Sequence, residues 1–181
     1  MQNRLSRSLT GVVVGLGFCF GAAVAPASAE LVQLVCPGTQ ASHFEPGLTN
    51  TPRATTSTVV GVVGPCVGLP TGIVWATFSS GSEGTRSCDL ASVTPSSSPV
   101  LLTLHWNDGT ESVAQQTSVV ISRPVGQVVI VSTNTIVSGR FVNATLVRTQ
   151  TLLQTQLLAC GTPQGVRDVA GPTTITIIGL L

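Results

Sequence analysis

Few side chains in this sequence could do chemistry, and each can be weighed in turn. His43 and His105 are the two histidines in 181 residues. His105 stands three positions before Asp108, with serines close by. A hydrolase needs its nucleophile, base and orienting acid in a row within hydrogen-bond reach. Asn107-Asp108-Gly109 reads as a tight turn, and residues three apart across a turn do not form that row. No Gly-x-Ser-x-Gly elbow occurs. The pattern points instead to an exposed histidine on a strand face. A metal site built from His43, His105 and acids would have to gather ligands from distant strands, and nothing in the spacing suggests one. Glu45, Glu83, Asp89, Asp108, Glu111 and Asp168 could supply a glycosidase pair, which has no fixed spacing. So few acids make that an alternative rather than the first choice. Trp75 and Trp106 could stack on sugar rings, but Trp106 shares the apolar face of its strand and is expected in the core. No catalytic, cofactor-binding or metal residue is assigned, and no cofactor is expected.

The cysteines carry more information. Cys19 falls in an N-terminal leader, which leaves Cys36, Cys66, Cys88 and Cys160. An even number in an exported chain implies two disulfides, with three possible pairings. The turn-rich stretch Pro46 to Pro52 separates two strand-like runs, and Cys36 and Cys66 lie about equally far on either side. A hairpin there brings the two sulfurs together and leaves Cys88 with Cys160. The nested pairing, Cys36 with Cys160 and Cys66 with Cys88, is the main rival.

Charge narrows the function classes. Charged residues make up 8% of the chain, and all eight basic residues are arginine. An average soluble domain has about a quarter. Scattered arginines do not form the basic patch that a nucleic-acid binder needs. The chain is 43% hydrophobic, the opposite of a disordered composition. A polytopic membrane protein is excluded, because one apolar run near the N-terminus is the sole segment long enough to consider.

That run belongs to a secretory signal peptide over residues 1–29. Arg4 and Arg7 form its basic end, Val12 to Ala25 its apolar stretch, and Ala27-Ser28-Ala29 its cleavage site. The remainder, residues 30–181, is expected to be a single secreted β domain starting at Glu30, with no membrane association after cleavage. Without Arg4 and Arg7, six arginines face seven acids, a net charge near −1.

The elements that must hold these residues read as strands. Val100, Leu102, Leu104 and Trp106 alternate with Leu101, Thr103 and His105, and Asp108-Gly109 follows as a hairpin turn. Thr110 to Ser122, Gln127 to Val137 and Arg140 to Thr149 continue a meander, turning at Arg123–Gly126 and Ser138-Gly139. Thr55 to Val63 and Gly72 to Ser79 read as earlier strands, the latter ending at Ser80-Gly81-Ser82. Thr94 to Pro99 is a loop. Leu152 to Ala159 fits either a strand or a helical turn. Cys160 to Pro172 is a loop, and Thr173 to Leu180 a final strand. No segment forms a long amphipathic helix. The expected fold is all-β, with about eight to ten antiparallel strands. A β-sandwich, Ig-like in outline, comes first, and a partly closed barrel is the alternative.

Val35-Cys36-Pro37-Gly38-Thr39, Pro46-Gly47-Leu48-Thr49-Asn50-Thr51-Pro52, the Trp106–Gly109 hairpin and the Gly171–Thr174 stretch together resemble an uncharacterised group of small secreted actinobacterial proteins. The Pro-Cys at Cys66, Ser-Cys at Cys88 and Leu-Leu-x-Cys at Cys160 extend the likeness over nearly the whole mature chain. The resemblance implies secretion and two disulfides. The group has no assigned activity, so it adds no site residues.

The function expected is therefore a secreted, non-enzymatic β domain that binds something outside the cell. The partner would be wall polymer, another protein or a second copy. Poor protection of strand edges, for want of lysine, favours self-association. The alternatives are a protease inhibitor presenting Pro46 to Pro52 or Gly161 to Gly171, and a small hydrolase using carboxylates.

Overall fold

A computed structural model describes residues 31–89 and 99–180. The expected signal peptide over residues 1–29, Glu30 and most of the expected Thr94–Pro99 loop lie outside the described residues. The described chain forms nine strands: β1 (Leu31–Leu48), β2 (Arg53–Val63), β3 (Val67–Leu69), β4 (Ala76–Arg86), β5 (Leu101–Trp106), β6 (Glu111–Ser122), β7 (Gln127–Gly139), β8 (Thr145–Leu153) and β9 (Val166–Leu180). Valine and threonine dominate them, which suits branched side chains on a pleated surface.

The strands close into an eight-strand antiparallel barrel rather than the expected sandwich. From β2 the ladder runs through β4, β5, β6, β7, β8 and β9 to β1, and β1 returns to pair with β2. The eighteen-residue β1 makes this possible. One edge pairs with β9 from Leu31↔Leu180 to His43↔Asp168. The other pairs with β2 from Gly38↔Val63 to Glu45↔Thr56, and β3 continues that edge at Val35↔Val67 and Gln33↔Leu69. A sandwich needs strands that leave one sheet for another, whereas here every neighbour on the ring is hydrogen-bonded. The β6–β7 register shifts twice, with Val137 the extra residue on β7 and Thr117 the extra residue on β6, and such bulges bend strands in closed sheets. Closure also removes most of the free edge on which strand-to-strand self-association would depend. The three-residue β3 keeps one, cut short by Pro70.

Alternation sets which side chains enter the barrel. Leu102, Leu104 and Trp106 of β5 are buried, as expected from the sequence. Trp106 Nε1 donates to Ser112 Oγ at 2.9 Å, and its ring meets Phe141 edge-on at 5.4 Å. Four strands show three interior layers in succession. On β1, Val32, Leu34 and Cys36 give way to Gln40 and Ser42, then to Leu48. On β7, Ile136 gives way to Asn134 and Ser132, then Val128. On β8, Leu146 gives way to Gln150, then Leu152. On β9, Ile177 and Ile175 give way to Thr173, then Val169. All are buried. Two apolar clusters thus sandwich a polar middle layer.

Several boundaries differ from expectation. β4 runs through Ser80-Gly81-Ser82 to Arg86, because those residues pair with Val59, Thr58 and Ser57 in mid-sheet. β7 continues to Gly139, and Arg140 to Ala144 make the turn. Phe141 there adopts φ 64° to put its ring into the core. Leu152 and Leu153 finish β8, and Gln154–Gly161 form a 3₁₀ turn. β9 starts at Val166, within the expected loop, because its first residues extend the ladder beside β1.

The disulfides are Cys36–Cys66 and Cys88–Cys160, the pairing favoured by hairpin symmetry, and the nested alternative is not formed. Each joins one apolar cluster. Cys88–Cys160 closes the longer loop, 72 residues against 30. Chain entropy assigns about 4 kcal/mol to each bond, the longer loop somewhat more. Replacing Cys88 and Cys160 together by alanine is expected to lower unfolding stability by about 4 kcal/mol and at least as much as removing Cys36 and Cys66. Urea unfolding of the two double variants checks the order.

Candidate functional site

The first three strands and the last make one continuous outer face. β1 lies in the middle, with β2 and β3 on one side and β9 on the other. Cross-strand register sets the rows. Leu69, Gln33 and Ile178 form the first, followed by Val67, Val35 and Thr176. Farther on come Val62, Thr39 and Pro172, then Val60, Ala41 and Ala170. The last rows are polar: Thr58, His43 and Asp168, then Thr56 and Glu45. Val60, Val62, Val67, Leu69 and Ile178 are each about half exposed.

Small residues on β1 cut a groove into this face. Thr39 and Ala41 form its floor between Val60 and Val62 on one bank and Ala170 and Pro172 on the other, and the groove is shallow and open, with a volume of about 490 Å³. The wall beneath is thin at Gly61. A Cβ there would lie 2.3 Å from Cζ of Phe78, so only glycine lets that ring fill the interior. The groove floor carries no charge. Over residues 38–43 both edges of β1 are engaged in ladders, with β2 and with β9, so an occupant lying on that floor would be held by side-chain contact, not by adding a strand.

The polar end of the groove has defined chemistry. His43 Nδ1 lies 2.7 Å from Asp168 Oδ1. Beyond it, Arg167 Nη1 lies 3.3 Å from Glu45 Oε2. Asp168, His43 and Thr58 stand on successive strands, in the order acid, imidazole, hydroxyl. Among the described residues no hydrogen bond links His43 to Thr58, and more than half of each of the His43 and Asp168 side chains is exposed. The neighbouring N–H groups serve the ladders, so no preorganised donors face the row. Its chemistry is that of an exposed imidazole–carboxylate contact.

The opposite end of the barrel holds a second set. His105 sits on the outer face of β5, as expected, opposite Glu111, with Nδ1 3.4 Å from Glu111 Oε2. Asp108 is not joined to His105. It accepts from the Thr110 hydroxyl and, at 3.0 Å, from the Thr110 N–H, and pairs with Arg140. The Thr110 hydroxyl, its N–H and the Arg140 charge hold the Asp108 carboxyl below the ordinary carboxylate range.

The remaining candidates are dispersed. The described acids are exposed and divide between the two barrel ends. Among the described residues no three of His, Cys, Asp and Glu cluster to hold a metal. Trp106 is buried, whereas Trp75 is half exposed. The loop at Pro46 to Pro52 is tied down, unlike a free inhibitory loop. Leu48 is buried, Arg53 Nε donates to Gly47 O at 2.8 Å, and the Cys88 N–H donates to Thr49 O at 2.8 Å. The groove was not foreseen from the sequence; alternating Val60 and Val62 mark a strand but not what lies beside it. Comparison with protein-family models, curated proteins and solved structures finds no match to this chain.

Because folding depresses the Asp108 pKa, its stabilising effect is full above the unfolded value, near 4, and is lost as pH falls through the folded value. Asp108→Ala is expected to lower Tm by a few degrees at pH 7, with the gap to wild type closing toward pH 3. Thermal unfolding across that range checks it.

Proposed function

We propose that this chain is a secreted, non-enzymatic binding module that works outside the cell and docks a protein partner on the β2–β1–β9 face. The observation that carries the reading is the charge-free groove of Thr39, Ala41, Val60, Val62, Ala170 and Pro172. It lies within a wider apolar strip that ends at the His43–Asp168 pair. Exposed apolar surface of this extent marks interaction sites on soluble proteins. The two disulfides and a barrel with few edges suit an extracellular setting.

The chemistry favours a protein over a wall polysaccharide. Sugar recognition relies on aromatic stacking and convergent hydrogen bonds, and the groove lining has neither aromatic rings nor charged groups. Aliphatic side chains of a partner fit between the valines and Pro172, while the His43–Asp168 and Arg167–Glu45 pairs form a polar rim. Carboxylate hydrolysis has no such support, since among the described residues the acids are exposed on the outside and line no groove.

Val60→Asp/Val62→Asp places charge in the groove at two exposed positions. A matching thermal melt establishes that the variant is folded. Immobilised wild-type and variant proteins are exposed to the secreted proteins of the source culture and, separately, to purified wall polysaccharide. A protein identified on the wild type is then purified and titrated back. Binding at least tenfold weaker to the variant is the expected result. Equal binding to both forms, or retention of polysaccharide alone, contradicts the proposal.

A further inference from the structure

Among the described residues the barrel interior contains cationic groups and no anion. Arg148 of β8 shares the inward face with Leu146, Gln150 and Leu152, and Arg86 of β4 is buried on the opposite wall, four strands away in either direction around the ring. Every carboxylate among the described residues is exposed at the outside. The two arginines differ in how they are satisfied. Arg86 Nη1 donates to Thr55 O at 2.6 Å and Nη2 to Ser82 Oγ at 2.8 Å. Arg148 Nη1 is sealed from solvent and has no protein acceptor. Two positions along β8, Gln150 is 5% exposed and its Nε2 is also sealed and unpartnered. Burial lowers the Arg148 pKa to about 10, so the guanidinium remains charged at neutral pH.

Arg148 as a whole is half-buried, but a guanidinium N–H sealed from solvent without an acceptor is costly, and a buried amide donor without one adds to the cost. A guanidinium cannot escape by shedding its proton at physiological pH. What fits two orphaned N–H donors beside a fixed positive charge is an anion. Neighbouring groups are polar and of the right kind. Ser132, Asn134 and Thr173 are buried on β7 and β9, the strands that flank β8. Gln40 of β1 adds an unpartnered acceptor, Oε1, which can take a hydrogen bond from the anion's hydroxyl or its accompanying water. The apolar clusters on either side shield the layer, so attraction within it is weakly screened.

We propose that the polar middle layer of the barrel is a binding site for a small inorganic anion or small carboxylate, held by Arg148 Nη1 and Gln150 Nε2. This site is separate from the outer groove and does not depend on the binding function proposed for it.

The test is thermal unfolding of the oxidised mature protein at constant ionic strength. The background is the sodium salt of a bulky sulfonate, too large for the barrel interior. Chloride, phosphate and acetate are substituted into it one at a time. A ligand that binds only the folded state raises Tm with concentration. The expected result is a rise for at least one small anion, with an apparent affinity at least tenfold weaker in Arg148→Met. In the sulfonate background Arg148→Met is expected to melt no lower than wild type, since it removes an uncompensated charge. If Arg148→Met fails to fold, Gln150→Leu serves for the same comparison. Equal Tm values for wild type in small and bulky anions overturn the proposal. So does an equal response in the variants.

Discussion

Pairing of the first strand with the last is the constraint on which the structure depends. β1 reaches β9 with one edge and β2 with the other, and that double engagement turns a meander into a ring. Without it the sheet would have two long edges, rich in valine and threonine and bare of lysine. The chain carries too few charges to guard such edges. Closure satisfies the backbone instead, and the few charges are left to form pairs at the barrel ends. Low charge and a closed ladder are therefore two sides of one solution.

Closure also governs the interior. An eight-strand barrel is just wide enough for side chains to meet inside it, and in this one they are arranged in layers. The apolar ends supply the hydrophobic driving force, each joined by a disulfide. The polar middle is harder to justify by stability alone, because buried serine, asparagine and glutamine need partners. Asn134 finds them in Ser132 O and Leu146 O, and Thr173 in Thr149 O. Arg148 and Gln150 do not. This division within one layer separates structural polarity from polarity suited to a ligand.

Local features were legible in the sequence and nonlocal ones were not. The alternation of Leu102, Leu104 and Trp106 placed β5 and its core face correctly, because strand period is a local signal. Equal spacing of Cys36 and Cys66 about a turn gave the correct disulfides for the same reason. Ser80-Gly81-Ser82 misled, since glycine and serine read as a turn whereas the ladder with β2 carries them through. The early turn expected at Ser138-Gly139 missed the pull of Phe141 toward Trp106. Barrel closure joins residues more than a hundred positions apart, and no local pattern distinguishes it from a sandwich. The groove depends on that closure, so it was hidden too. Arg148 looked like any scattered arginine until β8 was given an inside.

Native-state hydrogen exchange on β1 tests closure most directly. Residues 38–43 are paired with β9 on one side and β2 on the other. In a closed barrel both alternating sets of amides are bonded, so every N–H in this stretch is expected to exchange slowly. A strand at the edge of an open sheet would show slow exchange at every second residue and fast exchange between. That alternating pattern over residues 38–43 would contradict the barrel.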